Sequence, residues 1–219
     1  MQNPPDQAPV LAHTHIRTMS KHSSAERIEL FAAAPKLPPS FAYRGDLITA
    51  AEERALVARL AELPFKPFEF HGYLGNRRIV SFGWHYDYGA RAVQPATPIP
   101  SFLLPLREHA ARFAGLAPES LDHVLVTEYV EGAGIGWHRD KAEFADVVAF
   151  SLLAPCTLRF RRKNGTGWER ASQRVDPRSA YLLRGQARSE WEHSIPPLDR
   201  LRYSVTFRNL VASREPVRR

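Results

Sequence analysis

Two helical stripes before Pro118 and a succession of short alternating strands after it predict an α+β chain, a double-stranded β-helix (jelly roll) core supported by N-terminal helices. The first stripe opens with the capping box Thr49-x-x-Glu52, runs through Leu56, Leu60 and Leu63, and stops at Pro64. The second covers residues 102–114, burying Leu103, Leu106 and Phe113, with Pro105 limiting its first turn. Beyond Pro118, residues 123–130 read as extended, and Gly132, Gly134 and Gly136 make a loop delivering His138. Residues 147–153 are an apolar run, and 157–162 alternate. Asn164-Gly165 marks a turn, with the connection to the next strand, at 170–175, expected to be longer than a tight hairpin. Strands at 180–183, 190–195 and 203–209 complete the set.

Composition sets the frame around those elements. The 219 residues suit one globular domain, expected over residues 37–212. Residues 1–36 are rich in Pro, Ala, Gln, Ser and His and read as a flexible leader, with a short helix at 24–34 behind the box Ser23-x-x-Glu26. His13, His15 and His22 in that leader read as scattered, solvated imidazoles. Residues 213–219 form a basic tail. The formal net charge of +7 favours a polyanionic partner. A single cysteine, Cys156, excludes an internal disulfide and a Cys-rich zinc site, and it reads as core. That usage suits a reducing, cytoplasmic setting, and no run of 18 apolar residues or secretion-type N-terminus is present. A membrane partner is therefore not expected, and the chain reads as a monomer. No phosphate-cradling loop or dinucleotide fingerprint occurs either.

The chemistry lies in His138, Asp140 and His193, followed by Arg202 and Arg208. Two imidazoles and one carboxylate make the facial triad of a non-haem Fe(II) site, which leaves coordination positions open for co-substrate and oxygen. On a strand, His138 and Asp140 would leave the same face, with Cα atoms roughly 6–7 Å apart. The fold must return His193, which lies 53 residues beyond Asp140. In the last strand Tyr203, Val205 and Phe207 share one face, while Arg202, Ser204, Thr206 and Arg208 share the other. Burying two arginines is expensive unless they meet anions, and a dicarboxylate such as 2-oxoglutarate is one. One arginine would grip its far carboxylate; the other would support Asp140 or the near carboxylate.

The runs Thr127-Glu128-Tyr129-(eight residues)-His138-Arg139-Asp140-Lys141 and Arg202-Tyr203-Ser204-Val205-Thr206-Phe207-Arg208 resemble the AlkB family of Fe(II)/2-oxoglutarate dioxygenases, over residues 37–211. The resemblance implies oxidative dealkylation of alkylated bases, single-stranded DNA first and RNA as a further substrate. It implies His138, Asp140 and His193 as iron ligands. Arg202 and Tyr129 would hold the distal carboxylate of 2-oxoglutarate, with Arg208 near the carboxylate that chelates iron. Thr127 and Ser204 stand where the family commonly has asparagine, and Thr127 replaces only part of an amide's hydrogen bonding. Ala142 and Arg184 also depart from positions that carry an Asp or an aromatic in some members. Residues 75–86 resemble the family's nucleotide-recognition lid. They offer Arg77 and Arg78 for phosphate and Trp84, His85 or Tyr86 for a base. Trp191 either flanks the pocket or packs in the core. The run Arg159, Arg161, Arg162, Lys163, with Trp168, either follows a nucleic-acid backbone or is a solvated hairpin. Two other readings stay open: an oxygenase acting on tRNA or a protein, and a non-catalytic nucleic-acid-binding module.

Overall fold

The computed structural model describes residues 36–70, 73–87 and 92–211, with side chains at all of these but 70, 73–74, 85–87 and 92–93. The leader expected over 1–36, with its helix and histidines, lies outside the described residues apart from Lys36, as does the tail at 213–219. Strand β1 (Phe41–Arg44) precedes helix α1 (Ala50–Leu60). The expected capping box forms at its start: the Glu52 backbone N–H donates to Thr49 Oγ1 at 3.2 Å, and Thr49 N–H donates to the Glu52 carboxylate at 2.7 Å. Strands β2 (Lys66–Phe70), β3 (Tyr73–Phe82), β4 (Trp84–Asp87) and β5 (Ala92–Pro95) follow. Helix α2 (Leu104–Ala114) is entered through a single 3-10 turn, because Pro105 stands in its first turn, and it closes on Gly115 at φ 66°.

The remaining chain is mostly strand: β6 (His123–Tyr129), β7 (Ile135–His138), β8 (Phe144–Leu152), β9 (Cys156–Asn164), β10 (Gly167–Val175) and β11 (Ser179–Leu183). The short helix α3 (Gly185–Ser189) then leads into β12 (Glu192–Ile195) and β13 (Arg202–Leu210). Two expectations change here. The strand expected from 190 starts at Glu192, because Glu190 closes α3. The turn after Asn164 is tight, since Gly167 pairs directly with Asn164 and only Gly165 and Thr166 lie between them. Gly165 takes φ 56°, the conformation a two-residue hairpin loop demands.

Seven strands form one sheet in the order β1-β11-β8-β13-β6-β3-β2, and four form a second, β10-β9-β12-β7. Every ladder in both is antiparallel. Alternation along β13 divides the interior. Tyr203, Val205 and Phe207 join Val148, Phe150, Leu60, Leu103 and Leu106 in a core between the large sheet and helices α1 and α2. The second core lies between the two sheets and holds Tyr129, Leu158, Phe160, Tyr181, Trp191 and Ile195, with Cys156 buried among them as expected. This is the double-stranded β-helix expected from the sequence, with its helices packed on the large sheet. No described helix is long and apolar enough to cross a membrane.

Candidate active site

Strand pairing brings the two histidines together. β12 and β7 are antiparallel neighbours, and His193 stands directly opposite His138, with ring centroids 4.2 Å apart. Opposed residues in such a ladder project to the same face. The expectation that Asp140 leaves the same strand needs correcting, because β7 ends at His138 and Asp140 stands in the segment after it. A residue of the opposite sheet secures it there: Arg208 Nη2 donates to Asp140 Oδ1 at 2.7 Å. Asp140 Oδ2 lies 3.5 Å from His193 Nε2. One ligand atom from each of His138, Asp140 and His193 lies within 4.8 Å of the other two.

The donor set suits a metal ion. His138 Nδ1 lies 2.9 Å from the Gly136 carbonyl, and an N–H donating there leaves Nε2 as a free lone pair. Burial alone would raise the Asp140 carboxyl, but Arg208 and the two imidazoles hold it well below the usual carboxylate range. Burial, reinforced by His138 and opposed by Asp140, pushes His193 down to about 3. Near neutral pH the cluster is therefore one carboxylate anion and a neutral His193, the protonation states that metal ligation needs. Two nitrogens and one oxygen are the hard-to-borderline donors that Fe(II) takes.

Arg202 sits farther inside and is fully buried. Its Nε donates to Ser151 Oγ at 2.9 Å, yet neither Nη atom makes a well-formed hydrogen bond. Tyr129 lies alongside, with its ring centroid 5.1 Å from the guanidinium. Burial raises the phenols of Tyr129 and Tyr181, and Arg202 opposes both shifts. A desolvated cation with two idle donors is a costly arrangement unless an anion joins it. Thr127 and Ser204 are register partners on the same inward faces as Tyr129 and Arg202, and both are buried.

The expected substrate residues separate. Arg77 is opposite Tyr129 on the inward side and adds positive potential there, with its guanidinium 3.8 Å over Phe68. Arg78, expected at phosphate, instead forks onto buried Glu128 at 2.7 and 2.9 Å, and Tyr203 Oη donates to the same carboxylate. Burial raises the Asp122 carboxyl, and its hydrogen bond with Trp84 opposes that only in part. His85 and Tyr86 lie on β4, but their side chains are outside the described residues. Trp191 is buried in the inner core, which favours its packing role over presentation to a base. Arg184, the departure at an aromatic position, ties Asp146 at 2.6 Å to the end of α2 through the Ala114 carbonyl. Ala142 is exposed.

Three residues escaped the sequence reading. Ser151 orients Arg202, and its signal was one hydroxyl inside the apolar run 147–153. Tyr181 borders the same guanidinium but looks like any strand aromatic. Arg188 donates to the Lys141 carbonyl and is electrostatically coupled to Asp140, a relation that needs the fold.

Comparison with known proteins agrees with this geometry. The model of the 2OG-Fe(II) oxygenase superfamily matches residues 47–208. An "Alkylated DNA repair protein ALKBH8 homolog" of Arabidopsis thaliana is 30% identical over 192 residues, covering 75% of this chain and 53% of that protein. "Uncharacterized protein L905" of Acanthamoeba polyphaga mimivirus is 32% identical over 102 residues, covering 41% of this chain and 49% of its own. The chain thus spans about half the length of the curated relatives it matches. In fold, it superposes on the structure of OsALKBH1 with a TM-score of 0.62 at 18% identity, covering 80% of this chain and 100% of the other. The chain belongs to the 2OG-Fe(II) oxygenase superfamily, the dioxygenases that use Fe(II) and 2-oxoglutarate.

Proposed function

We propose that this protein oxidatively removes alkyl groups from bases of nucleic acid, with single-stranded DNA as the first substrate and RNA as a second. The observation that carries the co-substrate part is Arg202, fully buried with both Nη atoms idle behind the histidine–aspartate cluster. Two parallel N–H donors fit a carboxylate edge, and Tyr129 adds a hydroxyl to the same end. His138, Asp140 and His193 would hold Fe(II), and Arg208 would keep Asp140 anionic and aimed. When bound, iron and 2-oxoglutarate supply the oxidising power, coupling decarboxylation to hydroxylation of the alkyl carbon, which then leaves as an aldehyde. The chain's own part is placement and exclusion of water. Leu158, Phe160, Ile195 and Trp191 wall the inner core around the co-substrate end. No carboxylate base is needed near the alkyl group, so none is assigned. Thr127 and Ser204 would line the co-substrate floor, and Arg77 would meet substrate phosphate.

Support for a base substrate comes from the +7 charge and from kinship with a relative described as an alkylated-DNA repair protein. The test is protein reconstituted with Fe(II) without oxygen, then given 2-oxoglutarate, oxygen and single-stranded oligonucleotides carrying N1-methyladenine or N3-methylcytosine. Loss of one methyl mass, matched by succinate and dependent on iron, is the expected result. Succinate without any change in the base, across DNA and RNA, would move the activity to another target. Protein that holds iron yet forms neither product would overturn the enzymatic reading.

A further inference from the structure

The outer face of the four-stranded sheet carries a charge pattern that the iron chemistry does not use. Alternation along β9 turns Thr157, Arg159, Arg161 and Lys163 outward, while Cys156, Leu158 and Phe160 are buried. Its partner β10 turns Trp168, Arg170, Ser172 and Arg174 outward and buries Ala171 and Val175. Register sets Arg170 directly opposite Arg161 and Trp168 opposite Lys163. Like charges opposed across a ladder destabilise a sheet, so this face is not arranged for folding alone. Two of its cations are neutralised: Arg161 by Glu192 at 2.6 Å and Arg174 by Asp176 at 2.8 Å. Arg159 donates to the Ser194 hydroxyl, and no described carboxylate pairs with Arg159, Lys163 or Arg170.

Indoles are interleaved with these charges. The Arg161 guanidinium lies 4.5 Å from the Trp137 ring and 4.4 Å from the Trp168 ring, bridging two partly buried indoles. Lys163 lies 5.1 Å over Trp168, and Arg159 lies 5.1 Å over Trp137. Trp137 belongs to β7, the edge strand that places His138 on its other face. The basic, aromatic surface therefore begins one residue from the metal cluster and continues across the sheet. Free cations that follow a sheet, with aromatic faces between them, match a chain of phosphates carrying unstacked bases.

We propose that this outer face is a docking track for single-stranded polynucleotide, holding the segment that flanks the base presented to the iron centre. The inference rests on the nucleic-acid reading above and extends it to a surface outside the catalytic cavity. Lys163 and Arg170 contact phosphate, and Trp168 stacks on a base.

The test is binding of labelled, unmodified single-stranded oligonucleotides, DNA and RNA in separate arms, to the full chain by fluorescence anisotropy, without iron or 2-oxoglutarate. The double variant Lys163→Ala/Arg170→Ala should bind more weakly, and the slope of log K against log salt should shrink by about 1.4, at about 0.7 for each lost phosphate. Trp168→Ala should weaken binding on the order of tenfold with little change in that slope. Either arm responding in this way supports the track, and their ratio tells DNA from RNA. Unchanged affinity and slope in both variants, or a wild-type protein that binds neither polymer, overturns it. Because no turnover is measured, a failure of base dealkylation leaves this readout intact, and failure of the track leaves turnover of a short modified oligonucleotide unaffected.

Discussion

The two faces of the large sheet differ in one respect that matters: one is complete and the other is not. On the helix side, Phe150, Val205 and Phe207 are fully buried against apolar neighbours. That face has met its packing needs, and it contributes to stability through area removed from water. Across the same strands, Arg202, Ser204, Thr206 and Arg208 are buried too, but Arg202 Nη1 and Nη2 and Arg208 Nε have no hydrogen-bond partner, nor does His193 Nδ1 on the facing sheet. An unmet donor in the interior costs free energy that a bound group can recover. The inner face thus keeps in reserve what ligand binding uses, while the helix-side face holds the scaffold still.

Substitutions should separate these roles, and the largest effect belongs to the metal cluster. His138→Ala should abolish iron-dependent succinate formation and lower metal affinity beyond the roughly 10–100-fold that outer-shell partners are worth. Its melting temperature without metal should stay near wild type, since His138 is only partly buried. Phe150→Ala, on the other face, should cost about 3–5 kcal/mol in chemical denaturation by removing a fully buried ring. Below its melting point that variant should keep wild-type affinity for 2-oxoglutarate. Equal losses of stability from both variants would erase the distinction between the faces.

Arg202→Ala comes next. A charge-assisted carboxylate contact is typically worth about 1.5–3 kcal/mol, so 2-oxoglutarate affinity should fall roughly 10- to 150-fold. The protein without co-substrate should not lose stability to match, because the substitution also removes a desolvated cation whose two Nη atoms are unpartnered. Calorimetric titration against denaturation curves reads both at once. A smaller effect is set by acid. His193 is held at about 3 against an ordinary 6.5, so below pH 6.5 the unfolded chain takes up a proton that the folded one refuses. Stability of the metal-free protein should therefore fall as pH drops from 6.5 towards 3, by about 2 kcal/mol at pH 5. His193→Ala should flatten that slope, whereas Phe150→Ala should keep it.

Much of this was legible in the residues because it follows from alternation. The period of β13 alone assigned Tyr203, Val205 and Phe207 to one side and Arg202 and Arg208 to the other, and burial follows that division. The capping box of α1 was equally local, as was the proline that delays α2. What escaped depends on which strands become neighbours. Ser151 matters only because β8 lies beside β13, and Arg78 is drawn from phosphate to Glu128 only because β3 lies beside β6. The two-residue spacing suggests one strand for His138 and Asp140, and nothing local reveals that β7 stops at His138 and that Arg208 holds the carboxylate from another sheet.

Arg208 therefore offers the finest test of the inner face, because two roles for it were open in the sequence. If it serves Asp140, as the 2.7 Å contact indicates, Arg208→Ala should release that carboxylate and weaken metal binding by about tenfold, the lower end of outer-shell effects. Co(II) spectroscopic titration under anaerobic conditions reads that loss directly. Binding of 2-oxoglutarate to the metal-loaded variant should then stay close to wild type, since Arg202 is untouched. The reverse pattern, intact metal affinity with weakened 2-oxoglutarate, would assign Arg208 to the near carboxylate instead. Arg208→Lys sharpens the contrast: a lysine keeps the charge but not the planar fork, so it should restore part of the metal affinity if charge is the main contribution and almost none if geometry is. Retained metal affinity in both variants would mean that Asp140 is positioned by its own segment, and the division of labour between the two sheets would not extend to the metal site.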